Sequence, residues 1–563
     1  MEYSKLCLVY EALESTTKGL EKTSILASFL DLIKEKPELI YLLQGKVFAD
    51  FDSRELGISH QLAIRAISKA SGIGDAEVVD LFKNFGDLGK VVEEVWNKKK
   101  LQTALFCKNL TIEKVFENLK KISTFTGTGT VDLKLGLIVE LLHSASAVEA
   151  KYIIRTVLGD LKIGVGSGIL RDAIVEYIYH PESIEEKKKY VQIIQEAYDK
   201  VTDFSEVFSR AVERSLDKIK LKPGKPVKVM LFPKAMGIED AFRIVGKPAA
   251  FEYKYDGFRV MINKTAKGYI KIFTRRLEEV TKQFPEIVEY VKKNVRGETF
   301  MLDCEAVGFD SKTGEYTDFQ AISQRIRRKY GIETMMEKFP IELVVFDVIY
   351  LDGKSLIDVP FKQRRKLIEK VVREEDKKIV LAKQIITSEE KEVEKFYEKS
   401  LEDKQEGLMA KNLSAPYKPG ARIGYAVKLK PEDNDFDLVI TGAEWGTGKR
   451  AGWLTSFDVS CLDSAGNLLE VGKVSTGLKE LEGDELSFKE MTDKLKKLIT
   501  EEHGRKIKVR PEIVVTVQYQ NIQKSPTYSS GFAMRFPRIL RLRDDRGVND
   551  IARVGEIERE VLK

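Results

Sequence analysis

From residue 1 to about 217, apolar positions recur at the three-and-four spacing of amphipathic helices. Ile25, Leu26, Phe29, Leu30, Leu32 and Ile33 form one such run, and Leu135, Ile138, Val139 and Leu142 form another. Glycine-bearing breaks such as Ser71-Gly72-Ile73-Gly74-Asp75 and Thr126-Gly127-Thr128-Gly129-Thr130 punctuate the pattern without a fixed repeat. The segment Leu221-Lys222-Pro223-Gly224-Lys225-Pro226 has no apolar period and reads as a linker. Beyond it the pattern changes: Ile341 to Tyr350 is a nearly continuous β-branched, apolar run, the signature of a buried strand. A second break falls at Lys430-Pro431-Glu432-Asp433-Asn434-Asp435. After it, Phe457–Leu462 and Val514–Tyr519 alternate polar and apolar residues, and a closing helix is expected after Val548. The spacing therefore predicts an all-α domain over 1–217, a mixed α/β domain over 218–430 and a small all-β domain over 431–563 that a five-stranded barrel would fit.

Composition narrows the class more than the chemistry. At 563 residues the chain needs several cores, and 43% hydrophobic with 32% charged residues is globular rather than disordered. The charged share exceeds the usual quarter, as in proteins that use ion-pair networks at high temperature. Cys7, Cys107, Cys304 and Cys461 are too scattered for a local metal or redox pair, and four histidines supply no zinc constellation. With no apolar core in Met1–Tyr10 and no run near membrane-spanning length, the expectation is a cytoplasmic protein without a membrane partner. Net charge is +6, yet residues 1–220 hold 31 basic and 33 acidic side chains. Only local patches in that block can attract nucleic acid.

Candidate chemistry begins at Glu252-Tyr253-Lys254-Tyr255-Asp256-Gly257-Phe258-Arg259. A lysine next to an aspartate, a glycine turn and an arginine is either a solvated hairpin or a nucleophile. The second reading needs cations and partial burial to expose an amine lone pair, and arginines that also hold phosphate are the right neighbours. Lys254-Tyr255-Asp256-Gly257-Phe258-Arg259 resembles motif I of the covalent nucleotidyltransferases, which include DNA ligases, RNA ligases and mRNA capping enzymes. Similar motifs follow in order: Phe273-Thr274-Arg275-Arg276, Leu302–Val307, Val345–Tyr350, Glu406–Lys411, Val427–Lys430, and Arg535–Arg538 with Arg543–Arg546. The helical block is similar to the DNA-binding domain of archaeal and eukaryotic replicative ligases, so the resemblance spans the chain. It implies a helical DNA-binding domain, an α+β adenylation domain and a C-terminal β-barrel of the OB type.

It also implies roles. Lys254 would form lysyl-AMP. Glu252, Arg259, Arg275, Glu305, Phe346, Arg422 and Lys428 would bind ATP, with Phe346 stacked on the base. Glu252 can accept from the amine of adenine, whereas guanine offers a carbonyl there that a carboxylate repels. Glu305 and Glu406 are the expected carboxylates for Mg²⁺, which takes one or two such groups plus phosphate and water. Lys411, with Lys428, would neutralise charge on the α-phosphate, and Asp545 and Arg546 would support the same step. The sequence departs from the family where the closing tetrad ends in Arg546 instead of lysine, and where Ala426 replaces an aromatic of some relatives.

Two glycine-rich stretches are lures. Gly442 through Lys449 resembles a phosphate loop, but its lysine precedes Arg450 and the spacing is one residue too long. Gly164-Val165-Gly166-Ser167-Gly168 has no strand before it. The Gly127–Thr130 turn and Lys162–Gly168 are instead candidates for phosphate contacts on duplex DNA. Gln102, Leu105 and Phe106 resemble a shortened sliding-clamp motif, against the alternative of an ordinary helix start. The expected protein is a monomeric, ATP- and Mg²⁺-dependent enzyme acting on nicked duplex DNA. Its rivals are an RNA ligase or capping enzyme with the same lysine chemistry, and a non-catalytic nick-binding accessory.

Overall fold

The computed structural model describes residues 1–562, except 99–109, 126, 128, 318, 327, 329, 421–423, 432–433, 448–449 and 481–485. Contacts divide the chain into two compact units, Met1–Lys430 and Pro431–Lys563.

Among the described residues, the first 217 positions of the larger unit hold helices, from Tyr3–Ser15 to Phe204–Val212, and no strand beyond one bridge between Glu2 and Thr111. Ser59, Thr111, Ser146, Ser183 and Asp203 start five of these helices by accepting from first-turn amides. The apolar stripes merge in one core that includes Tyr10, Leu30, Ile67, Leu142, Tyr152 and Phe208. Within it Arg155 donates to Glu14 at 2.8 Å and to Asp87 at 2.6 Å, so its buried charge is held by two carboxylates.

The expected linker is not a loose tether. Lys222 pairs with Glu206 at 2.9 Å, and Lys225 with Asp203 at 3.0 Å and Glu206 at 2.8 Å. Thr202 donates its hydroxyl to the Pro226 carbonyl, while the Gly224 amide donates to Asn263 on the following domain. Two lysines of the linker thus clasp the helical domain.

Among the described residues the mixed α/β region builds ten strands: β1 Ala249–Tyr253, β2 Phe258–Lys264, β3 Ile270–Thr274, β4 Phe300–Gly308, β5 Ile341–Leu351, β6 Lys354–Ser355, β7 Ile379–Leu381, β8 Gln384–Thr387, β9 Leu408–Asn412 and β10 Ala426–Leu429. They form two sheets, ordered β10-β9-β1-β8 and β3-β2-β4-β5-β6, with β7 parallel to β5. The outer face of the first sheet buries Phe251, Tyr253, Leu408, Ala410, Val427 and Leu429. That of the second buries Phe258, Val260, Ile262, Leu302 and Cys304 beneath helices. Inner-face residues Met261, Phe273 and Met301 of the second sheet meet Met409 and Ala426 of the first. Strand alternation therefore turns the remaining inner positions of both sheets towards one cleft.

The smaller unit is strand-rich, as expected. Its strands are β11 Asn434–Trp445, β12 Leu454–Leu462, β13 Leu468–Val474, β14 Ile499–His503, β15 Lys506–Val509, β16 Val514–Tyr519, β17 Asn521–Lys524, β18 Phe532–Arg535 and β19 Arg538–Leu542. Seven of them join one antiparallel sheet, larger than the five strands anticipated, and β17-β18 is a separate hairpin. The long β11 pairs β16 along its first half, and β12 and β15 along its second, with register shifts at Ile440/Gly442 and Glu444/Trp445. Such bulges bend a strand and let one sheet curl, consistent with the barrel expected of the OB type. The closing helix is Val554–Leu562.

Candidate active site

The register of the first sheet explains how distant motifs meet. Gln384, Glu252, Met409 and Lys428 are opposite one another on β8, β1, β9 and β10, so their side chains share the inner face. Two positions along, Lys254 donates its amide to the Gly407 carbonyl and accepts from the Glu406 amide, which continues the β1-β9 ladder past the strand end. Lys430 leaves β10 on the same row. Gly407 stands between the two lysines with no side chain, and a Cβ there would lie 2.3 Å from the Leu429 carbonyl oxygen in a backbone with φ +122°. Both ammonium groups reach over it and ion-pair with Oε2 of Glu406.

The second sheet supplies the facing wall. Arg259 and Glu305 are cross-strand partners on β2 and β4. Gly257 lies against β4 so closely that a Cβ would sit 2.3 Å from the Ala306 oxygen and 3.0 Å from Cγ of Glu305, which accounts for glycine in motif I. Burial pushes the half-buried Glu305 carboxyl up to about 8. Lys254 and Arg259 pull against that shift, and Glu406 and Asp303 add to it. Burial acts the same way on Glu406, but Lys254 and Lys430 outweigh it and hold that carboxyl at about 2. Burial and then Lys254, Lys430 and Arg275 bring the Lys428 ammonium down to about 8, with Lys430 lowered for similar reasons. This end of the cleft is a cluster of cations sharing few carboxylates.

The other end is paired. Glu252, 2% exposed, ion-pairs with Lys411 at 2.5 Å and accepts from Gln384 Nε2 at 2.8 Å. Phe346 is half-buried, with the Lys411 ammonium 5.0 Å and the Arg259 guanidinium 5.4 Å from its ring centre. Lys411 is thus held at Glu252 and Phe346. Arg259 is largely spoken for. Its Nε and Nη2 grip both oxygens of Asp303 at 2.8 and 2.5 Å, and Nη1 donates to the Met230 carbonyl at 2.7 Å. Tyr417 donates to the same Asp303 at 2.6 Å. A guanidinium has five N–H groups, so the Asp303 and Met230 contacts leave Arg259 few for a ligand. Arg275 is exposed just past β3, near enough to Lys428 to lower it. Arg422 lies outside the described residues.

Lys430, Asp303, Gln384 and Tyr417 belong to this site without having been singled out. Two of them carried a signal: Lys430 is two residues from Lys428 and Asp303 two from Glu305, the strand period that returns a side chain to the same face.

Comparison with known proteins agrees with this architecture. Residues 229–430 match the model of the ATP dependent DNA ligase domain, 2–175 that of the DNA ligase N terminus, and 450–546 that of the ATP dependent DNA ligase C terminal region. A DNA ligase of Nanoarchaeum equitans is 45% identical over 99% of this chain and 98% of its own length. One of Thermococcus fumicolans is 42% identical over the same shares. This chain belongs to the ATP-dependent DNA ligase family. Its near relatives are archaeal, and its reaction class is the ATP-dependent joining of DNA strands. A solved structure titled Pmar-Lig_PreS3 shares the fold, with a TM-score of 0.55 and 16% identity over 95% of this chain and 99% of that one.

The remaining candidates belong to the smaller unit and to the helical domain. In the smaller unit Asp545 accepts from Arg543 at 2.8 Å, and that contact holds its carboxyl down at about 2. Arg543 and Arg546 both reach Asp437 at 2.7 Å. Arg538 and Arg541 are exposed on β19 beside Leu540, and Phe536 is 70% exposed in a left-handed backbone, φ +52°. In the helical domain, Thr130–His143 and Ser167–Tyr179 start without a side-chain cap after Gly129 and Gly166, which leaves first-turn amides for a ligand. Lys162 lies 3.6 Å from both Asp87 and Asp160. The first lure is strand β11 over Gly442–Trp445, and the second follows a helix, Ala147–Val157. Gln102, Leu105 and Phe106 lie outside the described residues.

Proposed function

We propose that Lys254 is the nucleophile that takes AMP from ATP, and that the ligase passes this AMP to the 5′-phosphate of a nick before the 3′-hydroxyl displaces it. The observation that carries the reading is the gathering of Lys254, Lys428 and Lys430 around Glu406, with Glu305 and Arg275 beside them. Nζ of Lys254 forms the bond to the α-phosphorus as the bond to pyrophosphate breaks. Lys428 and Lys430 sit where negative charge then builds, and fixed charges of this kind do most of the work in phosphoryl and nucleotidyl transfer. Glu406 orients the nucleophile. Glu252, Lys411 and Phe346 bind the adenine end, with Phe346 as platform, and Arg259 supports that platform through its remaining N–H.

Among the described residues no group of three or more His, Cys, Asp or Glu forms a protein cage for a metal. Glu305 and Glu406 are the donor set that fits Mg²⁺, whose remaining positions go to phosphate oxygens and water. When bound, the ion would screen the phosphates from the two carboxylates. Incubation with labelled ATP tests the core of the reading: wild type should carry one AMP on Lys254 and Lys254→Ala none. Wild-type labelling in the variant would remove Lys254 from the mechanism.

We infer three functional domains, 1–217 for DNA binding, 218–430 for adenylation and 431–563 of the OB type. The first would hold the duplex at the Gly127–Thr130 turn and at Lys162–Gly168, and the third through Arg538, Arg541 and Phe536. Asp545 and Arg546 would approach ATP during the first step only. Nick affinity should then fall steeply with salt, whereas a flat response would argue against phosphate contacts. Gln102, Leu105 and Phe106 remain the proposed contact for a sliding clamp on a monomeric, cytoplasmic enzyme. No described helix is long and apolar enough to cross a membrane.

A further inference from the structure

The helix Phe361–Val371 braces both walls of the base end with two consecutive arginines. Arg364 grips Asp347, the neighbour of Phe346, with Nε and Nη2 at 2.7 and 2.9 Å. Arg365 turns to the other wall, where its Nη1 lies 3.6 Å from Oε1 of Glu252 while Nε pairs with Glu369 at 2.9 Å. That Nη1 is buried and has no hydrogen-bond acceptor. A buried guanidinium hydrogen without an acceptor is costly, and an acceptor brought by a ligand would relieve that cost. Oε1 of Glu252 already accepts from Gln384, and Oε2 is held by Lys411. A carboxylate has about four acceptor positions, so unused lone pairs remain beside the unspent donor.

We propose that Arg365 selects the base: Glu252 and Arg365 form an acceptor and a donor side by side that read the 6-amino group of adenine and the ring nitrogen next to it. In a 6-oxopurine the exocyclic group is an acceptor and N1 carries hydrogen, so the pattern is inverted on that edge. The inference rests on the reading of Glu252 as a base contact and adds the partner that completes it. Gln384 is a positioning residue in this scheme, fixing Oε1 so that the pair stays aligned.

The test compares lysyl-nucleotide formation from ATP and from ITP, which differ only at the 6-position and N1, by kcat/KM on the full chain. Arg365→Met should reduce the preference for ATP by about tenfold or more, and Arg365→Lys, which keeps donor hydrogens, should recover most of it. Glu252→Gln is the control. If it shifts the preference while Arg365→Met does not, the role of Arg365 is overturned and the base reading stands. If Glu252→Gln leaves the preference unchanged, the base reading itself fails and this inference with it. Should Arg365→Met not fold, Gln384→Leu reads the same ratio: a fall supports the aligned pair, and an unchanged ratio overturns it.

Discussion

The two ends of the cleft treat charge in opposite ways. At the proposed base end Glu252 has Lys411, Gln384 and Arg365 around it, and Asp347 and Asp303 each hold an arginine with both oxygens. At the proposed phosphate end, three lysines and Arg275 crowd around Glu406 and a carboxyl, Glu305, that resists ionisation. The first arrangement is almost fully paired before a ligand arrives, one guanidinium donor of Arg365 excepted, and the second is left short of negative charge. A base is neutral and is read by shape and hydrogen bonds, so its pocket gains from being rigid. A triphosphate brings the missing anions, so unresolved repulsion among the lysines is relieved only when substrate enters. The charge balance of the chain points the same way: residues 221–430 hold 42 basic and 32 acidic side chains, whereas the first 220 are nearly neutral.

The largest effect should come from removing the carboxylate that both Lys254 and Lys430 share. Glu406→Gln leaves the two ammonium groups side by side without their partner, so the nucleophile loses its orientation and any help the carboxylate gives with metal. Lysyl-AMP formation should fall about a thousandfold, comparable to loss of a key electrostatic group elsewhere. ATP affinity should change far less, because the base end is untouched. An equal loss in KM and in kcat would mean that the two ends are not separate.

How much of this could be read from the sequence depends on whether residues are neighbours along a strand or across one. Lys254, Glu305, Glu406 and Lys428 were found because motif spacing marks them, and the sheet brings them together. Across-strand information was missing. Nothing in the spacing of Lys411 says that it pairs with Glu252, and Arg365 and Gln384 sit in segments with no motif at all. The helical, mixed and strand-rich blocks were legible from periodicity. The clasp of Lys222 and Lys225 on Asp203 and Glu206 was not, because ion pairs between remote charged residues leave no periodic trace.

A second break of the comparison lies at Lys428 and has a pH signature. Its ammonium is brought down to about 8, so the cation is present below that pH and lost above it. If Lys428 steadies the α-phosphate, kcat/KM for lysyl-AMP formation should decline as pH rises through about 8, since that ratio reports the free enzyme. Stability should move the other way. Between about 8 and the ordinary lysine value near 10.4, the unfolded chain binds a proton that the folded one has released, so folding gains about 1–2 kcal/mol across that window, less than the full shift because solvent screens the half-buried ammonium. Lys428→Met should therefore slow adenylylation about a hundredfold and raise the melting temperature below pH 8, and it should erase both pH effects. A variant that loses activity without gaining stability would show that the lysine is not held there against repulsion.

The smallest effect is expected at the base end, and it sharpens the contrast most. Phe346 contributes a ring and no charge, flanked by Lys411 and Arg259. Phe346→Leu keeps an apolar side chain of similar bulk, so the pocket should stay closed and the arginine–aspartate pairs intact. What is lost is the flat surface for a purine and the attraction of the ring for two cations, together worth about 1–1.5 kcal/mol. KM for ATP should rise about tenfold while kcat falls less than threefold, because no phosphate-end group has moved. Isothermal titration of ATP and single-turnover labelling separate the two quantities. A large fall in kcat with unchanged affinity would instead tie Phe346 to the placement of Lys254, and the division between a largely paired base pocket and an anion-hungry phosphate pocket would have to be redrawn.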